Sequence, residues 1–244
     1  RGTINQMAEG LEETEKMKNE FISSVSHELR TPLTSIRGWV ETLRTLDDPE
    51  DENYRKGLEI INNETARLYN MVEELLDFSR LQNGRLKMSC HPLDLVAELT
   101  DAVLFCEARI QREGLLLSYS EPEEMIPVYA DPDRLRQVFI NILDNAIKYS
   151  PNYGEIGVRI SEGPETLAVT ITNYGPDIPK DKVSRIWGKF YQADESHSSE
   201  GNGIGLAVVK QVVQLHGGTA TVDSGSGSTT FTVELPCLLY TSPS

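Results

Sequence analysis

Cysteine is scarce. Cys90, Cys106 and Cys237 are the only three in 244 residues. They are too few and too scattered for a disulfide framework or a zinc site, and their scarcity fits a reducing compartment. Positive charge is also in deficit: 23 Lys and Arg face 38 Asp and Glu, for a net charge of −15. Nucleic-acid binding depends mainly on cationic side chains that neutralise phosphates, and no run of Lys or Arg occurs, so no nucleic-acid partner is expected. No stretch is apolar and long enough to cross a bilayer, and there is no signal peptide. The chain opens at Arg1 without an initiator Met and is read as an excised piece, so any membrane contact would come through upstream segments. The phosphate loop G-x-x-x-x-G-K-[ST] is also missing, which disfavours P-loop enzymes.

What is present is a chain that is 39% hydrophobic, enough for a sizeable core. Its length suits one large domain or two ordinary ones. Residues 2–46 read as one long helix, with Ile4, Met7, Leu11, Ile22, Val25, Leu29, Pro32, Ile36 and Leu43 at three- and four-residue spacing. Asp47–Glu50 breaks it. A second helix is predicted over Glu52–Leu81, with the stripe Leu58, Ile61, Thr65, Leu68, Val72, Leu75 and Ser79, and Asn83-Gly84 caps its end. The pair makes an antiparallel hairpin that leaves apolar stripe wet, so two copies are expected to form a four-helix bundle.

Beyond a linker at 84–91 the texture changes. A helix is expected at Leu93–Glu113, then short strands at Leu115–Tyr119 and Pro127–Ala130. Asp131-Pro132-Asp133 is a helix start, with an Asp cap, Pro at the first position and an acid in the first turn. That helix runs to Tyr149, before Pro151. Strands follow at Glu155–Ile160 and Thr166–Asn173, then a stretch over Tyr174–Asn202 with little pattern beyond Val183–Phe190. A helix over Gly203–His216 and strands at Thr219–Asp223 and Thr229–Leu235 complete an α+β sandwich with helices on one face of a sheet. Residues 237–244 continue no pattern and read as a cloning remnant.

Four groups of residues carry candidate chemistry. On the helix over 132–149, Arg134, Gln137, Asn141, Asn145 and Lys148 form a polar row at helical steps, opposite Leu135, Val138, Phe139, Ile142 and Ala146. Asn is a mediocre helix former, so two in mid-helix, one turn apart, ask for a reason. An amide oxygen suits Mg²⁺ held by triphosphate, and Lys supplies a point charge for phosphate; the alternative is a plain exposed polar face. Gly201-Asn-Gly-Ile-Gly-Leu206 opens a helix, where backbone can approach an anion closely. Asn173–Pro179 follows a strand and could meet an adenine amino group, or be an ordinary turn. Last, Ser26-His-Glu-Leu-Arg-Thr-Pro32 places His27 off the apolar stripe. Glu28 is next to it, Thr31 shares its face, and Pro32 costs the helix ~3 kcal/mol.

Taken together, these groups resemble the sensor histidine kinases of two-component systems. Phe21–Thr34 resembles the H-box, Gln137–Ser150 the N-box, Asn173–Pro179 the G1 box, Ile186–Tyr191 the F-box and Gly201–Leu206 the G2 box, in that order. The resemblance implies a cytoplasmic portion of a membrane-anchored bacterial sensor kinase. Its parts would be a HAMP-exit signalling helix (1–17), a dimerisation and phosphotransfer domain (18–83) and an ATP-binding domain of the gyrase, Hsp90, histidine kinase and MutL type (92–236).

By the same resemblance His27 accepts the γ-phosphoryl group of ATP, Glu28 is its acid/base partner, and Thr31 aligns water for dephosphorylating the partner response regulator. Asn145 ligates Mg²⁺, and Asn141 and Lys148 support the phosphates. Tyr149, Asn173, Gly175, Asp177, Ile178, Gly201, Gly203, Gly205 and Leu206 line the nucleotide, and Phe190 packs at the base of a lid over 175–203. The phosphoryl group then passes to an Asp of a response regulator docking near Leu33–Leu43, and the kinase is a homodimer.

Three departures from the family pattern stand out. Asn173 replaces the usual Asp, Asp177 replaces the second Gly of the G1 box and is expected to limit how closely that loop nears the base, and Gln192 replaces an Arg after Tyr191. The rival readings are a plain ATPase and a non-catalytic dimeric scaffold. Against the ATPase, Asn141 stands where such relatives carry a water-activating Glu, and Asn is a poor base.

Overall fold

The computed structural model describes residues 2–46, 51–84, 86–188 and 204–237. The described residues divide into two compact units, 2–84 with Ile204 and 86–188 with 205–237.

The first unit is a helical hairpin of α1 (Gly2–Leu43) and α2 (Glu52–Gln82). The end of α1 comes at Leu43 rather than residue 46, because the chain tightens there. Thr45 N donates to Thr42 O at 2.9 Å and Leu46 N to Leu43 O at 3.3 Å, the short-range bonds that close a last turn. Past α2, Gly84 takes φ 62°, the left-handed cap its sequence calls for.

Pro32 lies inside α1 and is buried. Around it the hydroxyls of Ser26, Thr31 and Thr34 donate to the carbonyls of Ile22, His27 and Arg30. Such back-bonding to the residue four earlier accompanies bends in helices. The helices pack tightly at Gly57. A Cβ there would stand 2.8 Å from Trp39 Cε3 and 3.0 Å from Leu43 Cδ2, so only glycine allows this approach.

No residue of the expected α2 stripe is fully buried: Ile61, Leu68 and Leu75 are half-buried, and Leu58 and Val72 remain 50% and 45% exposed, while the buried apolar residues are Met71 and Phe78, outside that stripe. A single hairpin has one neighbouring helix for each stripe, so the band that faces α1 is narrower than the apolar band in the sequence.

The second unit holds a five-stranded sheet in the order β2-β4-β5-β7-β6. Its strands are β2 (Leu116–Tyr119), β4 (Glu155–Glu162), β5 (Thr166–Tyr174), β6 (Thr219–Gly225) and β7 (Ser228–Pro236). The pairs are antiparallel except β2 with β4. A separate two-stranded ladder joins β1 (His91–Asp94) to β3 (Pro127–Ala130).

Helices α3 (Leu95–Arg112), α4 (Pro132–Tyr149) and α6 (Gly205–Leu215) form the other layer, with α4 against β5 and α6 against β6 and β7. Alternate residues of β5 (Leu167, Val169, Ile171, Asn173) and β7 (Thr229, Phe231, Val233, Leu235) are buried beneath them, the period-two pattern of a sheet covered on one face. A short helix, α5 (Lys180–Val183), precedes Ile186 and Trp187, and Trp187 packs edge-on against Phe231 at 5.8 Å.

The structure corrects two expected boundaries. His91–Asp94 is a strand, and α3 begins at Leu95 rather than Leu93. Asp94 explains the shift: its Oδ1 accepts from Val96 N and Ile126 N, both at 3.0 Å, so it caps α3 and ties the cap to β3's approach. In the stretch after β5, the helical turn is Lys180–Val183 rather than a segment beginning at Val183.

Candidate functional site

Helix α4 carries the polar row. Its start is the Asp131 cap: Oδ1 accepts from Arg134 N at 3.2 Å, and Pro132 fills the first position. Arg134, Gln137, Asn141, Asn145 and Lys148 are all half-buried, so the row is not a plain solvated face. Asn141 Nδ2 donates to the carbonyl of Gly205, the first residue of α6, at 3.4 Å. Asn145 Nδ2 donates to the carbonyl of Asn141 at 2.8 Å. Only the NH₂ end of an amide can face a carbonyl, so this bond orients Asn145 and turns its Oδ1 away from the helix backbone. That oxygen is a neutral, hard donor of the kind Mg²⁺ accepts, and the residues present therefore fit a Mg²⁺ that arrives with triphosphate. Lys148 Nζ lies 5.2 Å from the centre of the Tyr149 ring, within cation–π range.

The C-terminal end of α4 meets the end of β5. The Tyr149 carbonyl receives Asn173 Nδ2 at 3.5 Å, a long bond that leaves Asn173 Oδ1 as the acceptor end of a side chain only 3% exposed. Gly175 passes the same carbonyl so closely that a Cβ would stand 2.5 Å from it. Asp177 does not lie against the α4 side of this loop. Its Oδ1 accepts from Gly227 N at 2.8 Å, and Ile178 N donates to Ser224 Oγ at 2.8 Å.

Gly205 and Leu206 open α6 beside Asn141. Asn141, Asn145, Tyr149, Asn173, Gly175 and Gly205 therefore surround one region, where α4, the β5 end and the α6 start converge. Phe190, Gly201 and Gly203, with Gln192 and most of the expected lid, lie outside the described residues.

In the hairpin unit, His27 is exposed on α1, Glu28 is half-buried and Thr31 is exposed. Thr31 Oγ1 donates to the His27 carbonyl at 3.3 Å. His27 and the amides of α4 belong to different units of the chain.

Two family models match, one to each unit. Residues 17–84 match the His Kinase A (phospho-acceptor) domain, and residues 130–238 match the histidine kinase-, DNA gyrase B- and HSP90-like ATPase. The chain belongs to the sensor histidine kinases.

Among known histidine kinases, the chain is 35% identical over 239 residues to the sensor histidine kinase YclK of Bacillus subtilis, covering 96% of this chain and 50% of YclK. It thus spans about half the length of curated relatives such as YclK. Among solved structures it is similar to ShkA full-length in complex with AMPPNP, with TM-score 0.65, 26% identity and coverage of 88% of this chain and 45% of that one. It is also similar to ThkA in complex with the response regulator protein TrrA, with TM-score 0.64, 25% identity and coverage of 93% and 64%. The fold of this histidine kinase is accordingly a helical hairpin followed by a sandwich of the gyrase, Hsp90 and histidine kinase type. Among the described residues, no helix is long and apolar enough to cross a membrane.

Other groups support the site from behind. Arg136 pairs with Glu98 at 2.8 Å and Asp101 at 3.1 Å, and Arg109 pairs with Asp144 at 2.7 Å, so α3 and α4 are linked twice. Burial pushes the Asp144 carboxyl above the usual carboxylate range, although Arg109 draws it down. Burial, helped by Asp144, pushes the Cys106 thiol up to about 12. The sequence reading missed the Tyr149 carbonyl, His216 and the turn at Ser224–Gly227. Backbone groups carry no residue-type signal, but Ser224-Gly-Ser-Gly-Ser228 is a turn signature that could have been used.

Proposed function

We propose that this histidine kinase uses Mg-ATP to phosphorylate His27 and then passes the phosphoryl group to an Asp of a response regulator. The observation that carries the reading is Asn141. It stands on α4 one turn before Asn145, with its amide at the start of α6, where a water-activating ATPase would need a base. An amide there cannot take a proton from water, so transfer to His27 is favoured over hydrolysis. His27 is exposed, which a phosphoryl acceptor on a separate unit requires.

In this reading Asn145 Oδ1 and the nucleotide phosphates hold Mg²⁺, which when bound neutralises charge on the transferring group. Asn141 and Lys148 support the phosphates, and Asn173 Oδ1 accepts from the adenine amino group. Tyr149, Gly175, Ile178 and Gly205–Leu206 shape the pocket, together with Phe190, Gly201 and Gly203. A ring nitrogen of His27 attacks the γ-phosphorus while the bond from phosphorus to the ADP oxygen breaks, and Glu28 takes the proton from the other ring nitrogen. Exposed apolar residues on both helices of the hairpin, Ile22, Leu33, Val40, Leu58 and Val72, fit burial against a second copy of the chain.

Dephosphorylation of the regulator, with Thr31 holding the attacking water, belongs to the same proposal, as does membrane anchoring of the whole protein through upstream segments. A division into 1–17, 18–83, a linker at 84–91 and 92–236 accompanies it.

The test is incubation with γ-labelled Mg-ATP beside His27→Gln and Asn145→Ala. Acid-labile label on the wild type, absent from both variants, is expected. Label that persists in His27→Gln would sink the assignment of the acceptor. Phosphate release without any protein label would favour the ATPase.

A further inference from the structure

The loop that follows β5, from Gly175, is fastened to the turn between β6 and β7 by bonds from neighbouring residues. Gly175 N donates to Gly227 O at 2.9 Å. Asp177 Oδ1 accepts from Gly227 N at 2.8 Å. Ile178 N donates to Ser224 Oγ at 2.8 Å, and that oxygen lies 2.7 Å from Oγ1 of the buried Thr229. Ser226 and Gly227 have φ of 57° and 80°, the two-residue left-handed turn that fits a tight hairpin. Both polar backbone groups of Gly227 are therefore committed to the loop, one to a peptide N–H and the other to a carboxylate.

We propose that Asp177 is a positioning residue, which anchors the loop to the β6–β7 turn and so holds Gly175 against the Tyr149 carbonyl at the edge of the nucleotide site. The family pattern has glycine at this place, which would leave Gly227 N without its carboxylate. Here the acid makes the turn of the neighbouring β6–β7 hairpin part of the site's frame. Its oxygen points to that hairpin, so its influence on the nucleotide runs through the backbone of the loop. Asn173, Gly175 and Ile178 keep their places because three successive anchors prevent the loop from sliding along β6–β7. The expectation that Asp177 merely obstructs the base is replaced by this one. Ser224 and Thr229 join it as a second pair of positioning residues, since their hydroxyls form the support beneath Ile178.

The inference rests on the reading of this region as an ATP site. Its test uses the whole chain, with Asp177→Ala, Asp177→Asn and wild type. Mg-ATP binding is followed by calorimetry, the rate of His27 labelling at saturating ATP is measured, and amide exchange is recorded over 224–229 without nucleotide. Loss of one hydrogen bond to a charged acceptor at an exposed site corresponds to about tenfold. Asp177→Ala is therefore expected to bind Mg-ATP about tenfold more weakly, with faster exchange at Gly227 and a labelling rate at saturation within about twofold of wild type. Asp177→Asn retains an acceptor oxygen and should recover most of the affinity and protection.

Unchanged binding and unchanged exchange in Asp177→Ala would overturn the proposal. Weak binding in both variants with wild-type exchange would also overturn it, because the charge would then act on the ligand directly. Failure of the wild type to bind Mg-ATP would overturn the ATP reading and the proposal with it. That outcome is distinct, because it appears before any variant is compared.

Discussion

Nε2 of His216 accepts the backbone N–H of Asp131 at 3.0 Å, and its Nδ1 donates to the carbonyl of Val212 at 2.9 Å. Facing a carbonyl, Nδ1 must carry the hydrogen, so the ring is held in one tautomer. The bond joins the residue after α6 to the cap of α4, while Asn141, in mid-α4, holds Gly205 at the other end of α6. Asp131 also receives Ser89 N at 2.7 Å, which ties the segment entering the second unit to the same point.

Removing that ring leaves a buried N–H without an acceptor. His216→Ala is expected to destabilise the second unit by about 1–3 kcal/mol. Urea unfolding followed by circular dichroism should show a lower midpoint with an unchanged slope. A midpoint equal to that of the wild type would mean that water replaces the ring at no cost.

Gly175→Ala should be worse than an ordinary loop substitution, because the added Cβ meets the Tyr149 carbonyl at 2.5 Å and backbone cannot swing aside as a flexible side chain does. About 1–3 kcal/mol of stability should be lost, the usual cost of overpacking. Mg-ATP affinity should fall with it. Normal thermal stability and affinity in this variant would contradict the close approach.

Asp144 gives a pH dependence with a definite sign. Its carboxyl is raised in the folded protein, chiefly by burial, against the opposing pull of Arg109. A raised acid contributes stability that is fully present below its unfolded pKa and is lost as pH rises through the folded value. Arg109→Met removes the lowering influence, so the Asp144 titration observed by NMR should move further up. The loss of stability on raising the pH should become larger and end at a higher pH. A downward move would show that burial is not the dominant cause.

Two neighbours of His27 should separate two activities. Glu28→Gln keeps shape but removes the base, and labelling of His27 should slow by about 10²–10⁴-fold. Thr31→Ala should leave labelling within a fewfold of wild type while dephosphorylation of a phosphorylated regulator is lost. Time courses of protein-bound label and of regulator phosphate would check both. Equal losses of both activities in Thr31→Ala would argue instead for a role in helix geometry, through its bond to the His27 carbonyl.

Much of this was legible in the chain because it is written in local rules. The Asp131 cap, Gly84, and the alternation along β5 and β7 each follow from a residue's own backbone preference or from period. The convergence of Asn141, Asn145 and Asn173 was reached through resemblance and spacing, and the structure adds the amide orientation that spacing cannot supply. What stayed hidden depends on partners far along the chain. The role of Asp177 depends on Gly227, that of His216 on Asp131, and the strand at His91–Asp94 on β3. The α2 stripe misled at Leu58 and Val72 because periodicity reports which residues are apolar, not how many neighbours a hairpin can offer them.

The contact at Gly57 gives the hairpin a fulcrum. Trp39 and Leu43 fill the space that a side chain at Gly57 of α2 would need, near the connection between the helices. His27 lies on the same rod as Trp39, ~18 Å along the axis at the usual rise per residue. A tilt of about 5° around Gly57 therefore carries the histidine backbone by ~1.6 Å, half the length of a hydrogen bond. The arm is long on the side of the exposed imidazole and short on the side of the turn, so a slight angular displacement at the base becomes a larger displacement of the ring.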